Sequence, residues 1–248
     1  MVWDVCNGVQ QIRRLTGTLY RLVESQEQVA TLGYVDTLDE QAMLEEMLEH
    51  TKPVYKDDLT AYHYLLSTPF RYPPLKWGSR FGGLHEPSIF YGGSSVHVTL
   101  AESAYYRFVF WNSMAGLPIK KQIRSEHSLF SVDYQSQHGV SLHQPPFDHY
   151  EHEISSPTQY TESQQLGSAM RASAVEAFVY PSARDPQKGT CVGLFTARAF
   201  RHKQPKNMSQ WLCETAANEV LFKQLGSNAI TSFKLEAFLA DAKFPMPA

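Results

Sequence analysis

The sequence predicts an α+β domain, and three observations carry that expectation. Stretches with strand character recur through the second half of the chain, at 127–134, 176–180, 191–195, 210–215, 219–224 and 233–238. Helical spacing is confined to a few segments, near 7–16, 37–52, 57–66, 99–111 and 159–172. The two kinds of element do not alternate regularly, which argues against a parallel βαβ sheet. The chain has 248 residues, of which 43% are hydrophobic and 12% aromatic, enough apolar material for one sizeable core. No internal repeat or low-complexity segment divides it, so a single domain over 1–248 is expected.

Composition excludes several function classes. The formal charge is −3 with no basic tract, so no nucleic-acid partner is expected. No run approaches the roughly 18 apolar residues of a membrane helix, so no membrane partner is expected either. The N-terminus lacks the charged-then-apolar order of a signal peptide. The three cysteines, Cys6, Cys191 and Cys213, have no metal spacing, and a low odd count suits a reducing cytoplasm. Four histidines at 138, 143, 149 and 152 are irregularly spaced and lack a cysteine companion, so a polar surface loop over 135–156 is expected there and no metal.

In chain order, residues 7–16 read as a short amphipathic helix ended by Gly17, and 18–24 as a strand carrying Arg21. Thr37-Leu38-Asp39-Glu40 is a capping box, because the Thr37 hydroxyl can take the amide of residue 40 while Glu40 reaches back to residue 37. Leu38, Met43, Leu44, Met47 and Leu48 then form one apolar face, and the helix ends near Lys52-Pro53. A short helix over 57–66 is expected to share Leu59, Tyr62, Leu65 and Leu66 on one side. Residues 67–93 are too rich in Gly and Pro for a long regular element and predict an ordered loop with a last strand at 88–91. Such a loop is more often functional than idle. Ser182 falls at the bend between the strands at 176–180 and 191–195, where it serves either as a turn former or as a functional hydroxyl.

The stretch from Arg71 to Trp111 concentrates the chemistry. Arg80, Tyr91 and Glu102 supply a cation, a phenol and a carboxylate on an aromatic-rich scaffold, which suits an anionic, ring-bearing small molecule. Thr99-Leu100-Ala101-Glu102 is a second capping box, so a helix is expected to begin there. Glu102 then has two readings, a cap of that helix or a carboxylate that stabilises positive charge in a reaction.

These residues resemble the RES domain family. SRFGG at 79–83 is similar to its arginine segment, with Arg80 in that place. IFYGG at 89–93 is similar to its tyrosine strand, through Tyr91. TLAESAYYR at 99–107 resembles the helix carrying its glutamate, through Glu102, and VYPSAR at 179–184 resembles its serine segment, through Ser182. LYRLVE at 19–24 resembles its first strand, whose arginine would be Arg21. The helical insertion at about 29–69 is longer than in compact members, so Arg71 competes with Arg21 for that place. Phe81 stands where the family has Trp, followed by Gly82 in place of Asn; Phe81 keeps an aromatic stacking surface.

The resemblance implies an ADP-ribosyltransferase-like fold, with small split mixed or antiparallel sheets flanked by helices around a cleft for NAD. It implies NAD consumption by an NAD glycohydrolase or phosphorylase, as the toxin of a toxin–antitoxin pair whose protein antitoxin blocks the cleft. Arg21 or Arg71, with Arg80, would hold the pyrophosphate. Phe81 and Tyr91 would line the nucleotide, Glu102 would stabilise the cationic ribose, and Ser182 would fix a hydroxyl or the acceptor. No sequence neighbour offers Ser182 a base, so a covalent role for it is not expected. An ADP-ribosyltransferase acting on a protein, a non-catalytic nucleotide-binding module, and an interaction protein, including a homodimer, are the other readings.

Overall fold

The computed structural model describes residues 1–25, 34–55, 57–116 and 120–247. Part of the insertion, residues 29–33 and 56, lies outside these. The protein is a mixed α+β structure in which helices flank a mixed sheet. The strands are β1 (Arg13–Glu24), β2 (Phe90–Gly93), β3 (Gln122–Ser141), β4 (Ala177–Pro181), β5 (Thr190–Leu194), β6 (Lys206–Ala216), β7 (Glu219–Gln224) and β8 (Ile230–Lys234). They join in one connected sheet, in the order β1-β2-β5-β4-β3-β6-β7-β8. Because β1 also pairs with β3, the first five strands of that order close into a ring. β3–β4 is the parallel pair, and the other ladders are antiparallel.

Strand periodicity sorts the side chains of the ring onto two faces. Leu19, Phe90, Phe130, Val132, Ala177, Val179, Val192 and Leu194 share one core with Leu65 and Leu66 of α3 (Tyr64–Arg71). The alternate residues Phe178, Tyr180 and Cys191 belong to a second core with Leu166 and Met170 of α6 (Thr161–Ala172). A third core packs α4 (Val96–Asn112) against β6 and β7 through Leu100, Tyr105, Phe108, Trp211 and Phe222. A cleft opens where the second face of the ring meets α4.

Several local expectations give way to tertiary contacts. Residues 7–16 are not a helix. A helical turn, α1, covers Val2–Val5, a 3-10 turn follows at Gly8–Gln11 after left-handed Asn7, and β1 already begins at Arg13. The long register of β1 on β3, from Arg13↔Gly139 to Glu24↔His127, overrides the helical spacing. The second helix also lies later than expected, with a 3-10 turn at Asp57–Leu59 before α3, which runs through Pro69 into the expected loop. Residues 233–238 divide between the end of β8 and a 3-10 turn at Leu235–Phe238. The 135–156 region continues β3 to Ser141 and then adds α5 (Glu151–Ile154).

The capping box at Thr37 forms as expected, opening α2 (Leu38–Thr51). Its apolar side chains do not find a core. Leu38, Met43 and Met47 are exposed, and Gln41 is the buried residue. α2 is held to the body through polar anchors instead, with Glu49 accepting from Arg71 at 2.7 Å.

Candidate active site

The second capping box does not form. α4 begins at Val96, with Ser95 as N-cap accepting from the Val98 amide at 3.3 Å. Thr99 therefore sits inside the helix, where its hydroxyl donates to the Ser95 carbonyl at 2.8 Å. Glu102 lies beyond the first turn, so it neither caps the helix nor meets the strong part of its dipole.

Glu102 instead points toward β5 and the loop after β4. The Ser182 hydroxyl donates to its Oε1 at 2.5 Å, and the Cys191 thiol donates to the same oxygen at 3.5 Å. Glu102 Oε2 has no protein hydrogen-bond partner among the described residues. Ser182 is itself held, because its Oγ accepts from the amides of Arg184 at 3.1 Å and Asp185 at 3.0 Å. Those two bonds occupy both lone pairs of the hydroxyl. The sequence offered Ser182 no base, whereas the fold brings Glu102 to its proton from 80 residues away. Burial, then the charge of Glu102, pushes the Cys191 thiol well above its ordinary value, so it stays a protonated donor.

The cleft in front of these groups has a volume of about 420 Å³ and is lined by Arg21, Arg80, Tyr91, Glu102, Tyr160 and Tyr180, among others. That is within the range of small-molecule sites. Arg21 reaches it from β1. One guanidinium nitrogen donates to the Tyr91 carbonyl at 2.7 Å, the guanidinium carbon lies 4.8 Å from the Phe90 ring centre, and among the described residues the buried Nε has no protein partner. Burial lowers its pKa to about 10, which leaves it fully charged at neutral pH. Arg80 is set over the Tyr160 ring at 4.7 Å and donates to the Ser156 carbonyl at 2.7 Å. The Tyr91 hydroxyl accepts from the Phe81 amide at 3.2 Å and shares a 2.9 Å bond with Ser79. Burial pushes the phenol up to about 12, so it remains neutral.

Two sequence expectations fall elsewhere. Arg71 lies outside the cleft lining; it donates to Glu49 and to the Pro53 carbonyl, and its guanidinium lies 4.0 Å from the Tyr55 ring. Phe81 offers no stacking surface, because it is fully buried, edge-on to Phe178 and Tyr180 at 4.8 Å. Volume and apolarity win there: a phenyl ring completes the core beneath the cleft instead of forming its wall.

Sequence reasoning missed Cys191 and Arg184. Cys191 alternates with Val192 and Leu194, so period two alone puts it on the opposite face from the core valine and leucine. Arg184 follows Ser182 by two residues and is buried, with its guanidinium 3.6 Å from the Tyr105 ring and a donor on the Pro157 carbonyl at 2.9 Å. No sequence signal distinguished it from a solvated loop arginine. Among the described residues no group of three or more His, Cys, Asp or Glu could hold a metal ion, and no helix is long and apolar enough to cross a membrane.

The model of the RES domain family matches residues 57–227. A solved structure, the M. tuberculosis MbcT-MbcA toxin-antitoxin complex, is similar at 11% sequence identity and a TM-score of 0.49, over 84% of this chain and 90% of that chain. No curated protein sequence matches the chain.

Proposed function

Because the chain belongs to the RES domain family, we propose that it is an NAD-consuming enzyme that breaks the nicotinamide–ribose bond. The observation that carries this is the single-sided grip on Glu102: Ser182 and Cys191 both donate to Oε1, and Oε2 is left for the substrate. Cleavage of that bond builds oxocarbenium character on the ribose. A carboxylate fixed by two donors needs no reorganisation as that charge grows, which is the condition for electrostatic catalysis. Oε2 would accept from the ribose hydroxyls.

The guanidinium groups of Arg21 and Arg80 supply the counter-charge for a pyrophosphate. The free Nε of buried Arg21 supports this role in particular, since an unpaired buried donor otherwise costs stability. Arg21, not Arg71, therefore takes the first-arginine role in this reading. Tyr91 lines the cleft and orients the Arg80–Phe81 segment through its hydroxyl. Ser182 acts as a donor that positions Glu102. An attack by Ser182 itself would first require breaking one of the two hydrogen bonds that backbone amides donate to its oxygen.

Within this reading the protein is the toxin of a toxin–antitoxin pair, and a protein antitoxin is its partner; family membership supports both. Incubation with NAD, with and without inorganic phosphate, followed by mass analysis, tests the activity. Phosphorolysis gives nicotinamide and ADP-ribose 1″-phosphate, and hydrolysis gives nicotinamide and ADP-ribose. Intact NAD after prolonged incubation with excess enzyme overturns the proposal. Label transferred to protein in a lysate would identify an ADP-ribosyltransferase instead.

A further inference from the structure

We propose that the segment Tyr72–Trp77 is a base-stacking wall that holds the purine of the dinucleotide, so that the enzyme selects dinucleotides over nicotinamide mononucleotide. The inference rests on the reading of the cleft given above and adds a second recognition site to it.

The wall is made of Tyr72, Pro73, Pro74, Leu75 and Trp77, and all five line the cleft. None of their side chains carries a charge. Tyr72 is 39% exposed and Leu75 58% exposed, so these apolar groups are withheld from any core. An exposed apolar surface inside a concave site is a recognition feature more often than a packing failure.

The backbone of the segment is fixed while its side chains are not covered. The Ser88 hydroxyl donates to the Tyr72 carbonyl at 2.8 Å, and the Gly78 amide donates to the Leu75 carbonyl at 2.7 Å. Gln164 of α6 donates to the carbonyls of Trp77 at 3.2 Å and Ser79 at 3.0 Å. Two prolines restrict the φ angles between these anchors. A wall held in this way stacks a flat ring with little loss of conformational freedom. Lys76 adds a positive charge, with its Nζ 5.6 Å from the Trp77 ring centre.

The surfaces of the cleft match the groups of a dinucleotide in kind. The apolar wall, the guanidinium groups of Arg21 and Arg80, and the Glu102 carboxylate all line the same cleft. A dinucleotide presents a purine, a diphosphate and the reacting ribose to them. Phe81, fully buried against Phe178 and Tyr180, is not placed to take the base.

The test compares NAD with nicotinamide mononucleotide in the wild type, Tyr72→Ala and Trp77→Phe. Stacking of a base on an aromatic side chain changes affinity by about 5- to 100-fold. Tyr72→Ala should therefore raise KM for NAD by about tenfold or more at constant kcat, and leave kcat/KM for nicotinamide mononucleotide unchanged. Trp77→Phe, which keeps a ring, should lose less. Melting temperatures near wild type keep the comparison clean, since Tyr72 is partly exposed. Equal kcat/KM for the two substrates in the wild type overturns the wall, as does an equal loss on both substrates in Tyr72→Ala. If neither substrate is turned over, the catalytic reading has failed, and calorimetric titration decides the wall separately. ADP-ribose should then bind the wild type more tightly than Tyr72→Ala; equal binding to the two would remove the proposal.

Discussion

Replacing Glu102 with glutamine tests the catalytic reading with the smallest structural disturbance. Glutamine has the same shape, and its amide oxygen can still accept from Ser182 and Cys191 where Oε1 does now. Only the charge facing the ribose is removed. A unit positive charge about 4 Å from a carboxylate, at an effective dielectric near 20, is stabilised by about 4 kcal/mol. The transition state carries part of that charge, so the loss is about 3 kcal/mol, or roughly 100-fold in kcat. KM should change little, because the ground-state ribose is neutral. Nicotinamide release under saturating NAD measures kcat, and thermal unfolding checks the fold. Since Glu102 caps nothing in α4, the melting temperature should stay close to wild type. A Glu102→Gln enzyme within threefold of wild-type kcat would refute the electrostatic role, and a large fall in melting temperature with normal kcat would make Glu102 a structural residue.

The two candidate arginines should separate cleanly. Arg21→Met is expected to raise KM for NAD at least tenfold, whereas Arg71→Met leaves it within twofold and lowers the melting temperature, because Glu49 Oε1 and the Pro53 carbonyl lose their donor; the reverse pattern would restore Arg71 to the site. In Gly167→Ala the new Cβ would sit 1.9 Å from the Phe81 carbonyl oxygen, so α6 and the Arg80 loop must part. Destabilisation of about 1–3 kcal/mol should follow, with weaker NAD turnover, and an unchanged urea midpoint would show that the contact yields freely. His127 is buried beside Phe222, and burial, then the charge of Arg107, lowers its pKa to about 4 from 6.5. The unfolded chain therefore binds the proton more readily between those values, and stability falls as pH drops from 6.5 toward 4, by about 2 kcal/mol at pH 5. Urea unfolding at pH 7 and pH 5 should show that loss in the wild type and much less of it in His127→Gln; identical pH dependence would mean that His127 does not titrate as its burial requires.

Much of the architecture could be read from local pattern. The alternation in Glu219–Gln224 and the Thr37 capping box depend on neighbours a few residues away, and both appear as expected. The candidate residues at 80, 91, 102 and 182 stand out through the resemblance to the RES domain family; the fold sets Arg80, Tyr91 and Glu102 in one cleft lining and bonds Ser182 to Glu102. What local pattern misjudged were cases of competition. Residues 7–16 have helical spacing, yet the ladder between β1 and β3 offers more partners than an isolated helical turn. Thr99 and Glu102 form a capping box on paper, but Ser95 starts the helix one turn earlier and leaves both inside it.

By itself, then, the sequence determined the α+β class, most of the strands, and four of the side chains that the fold brings to one cleft, Arg21, Arg80, Tyr91 and Glu102. Tertiary structure decided which of them meet. Glu49 lies 22 residues before Arg71 and captures it, which leaves Arg21 for the cleft. Cys191 reaches Glu102 across 89 residues, and Phe81 turns inward against Phe178 and Tyr180. The physical reason is common to all three. Periodicity and caps report energies between near neighbours, whereas the partner of a guanidinium, a thiol or a ring is settled by burial and by whichever distant group the fold brings within bonding distance.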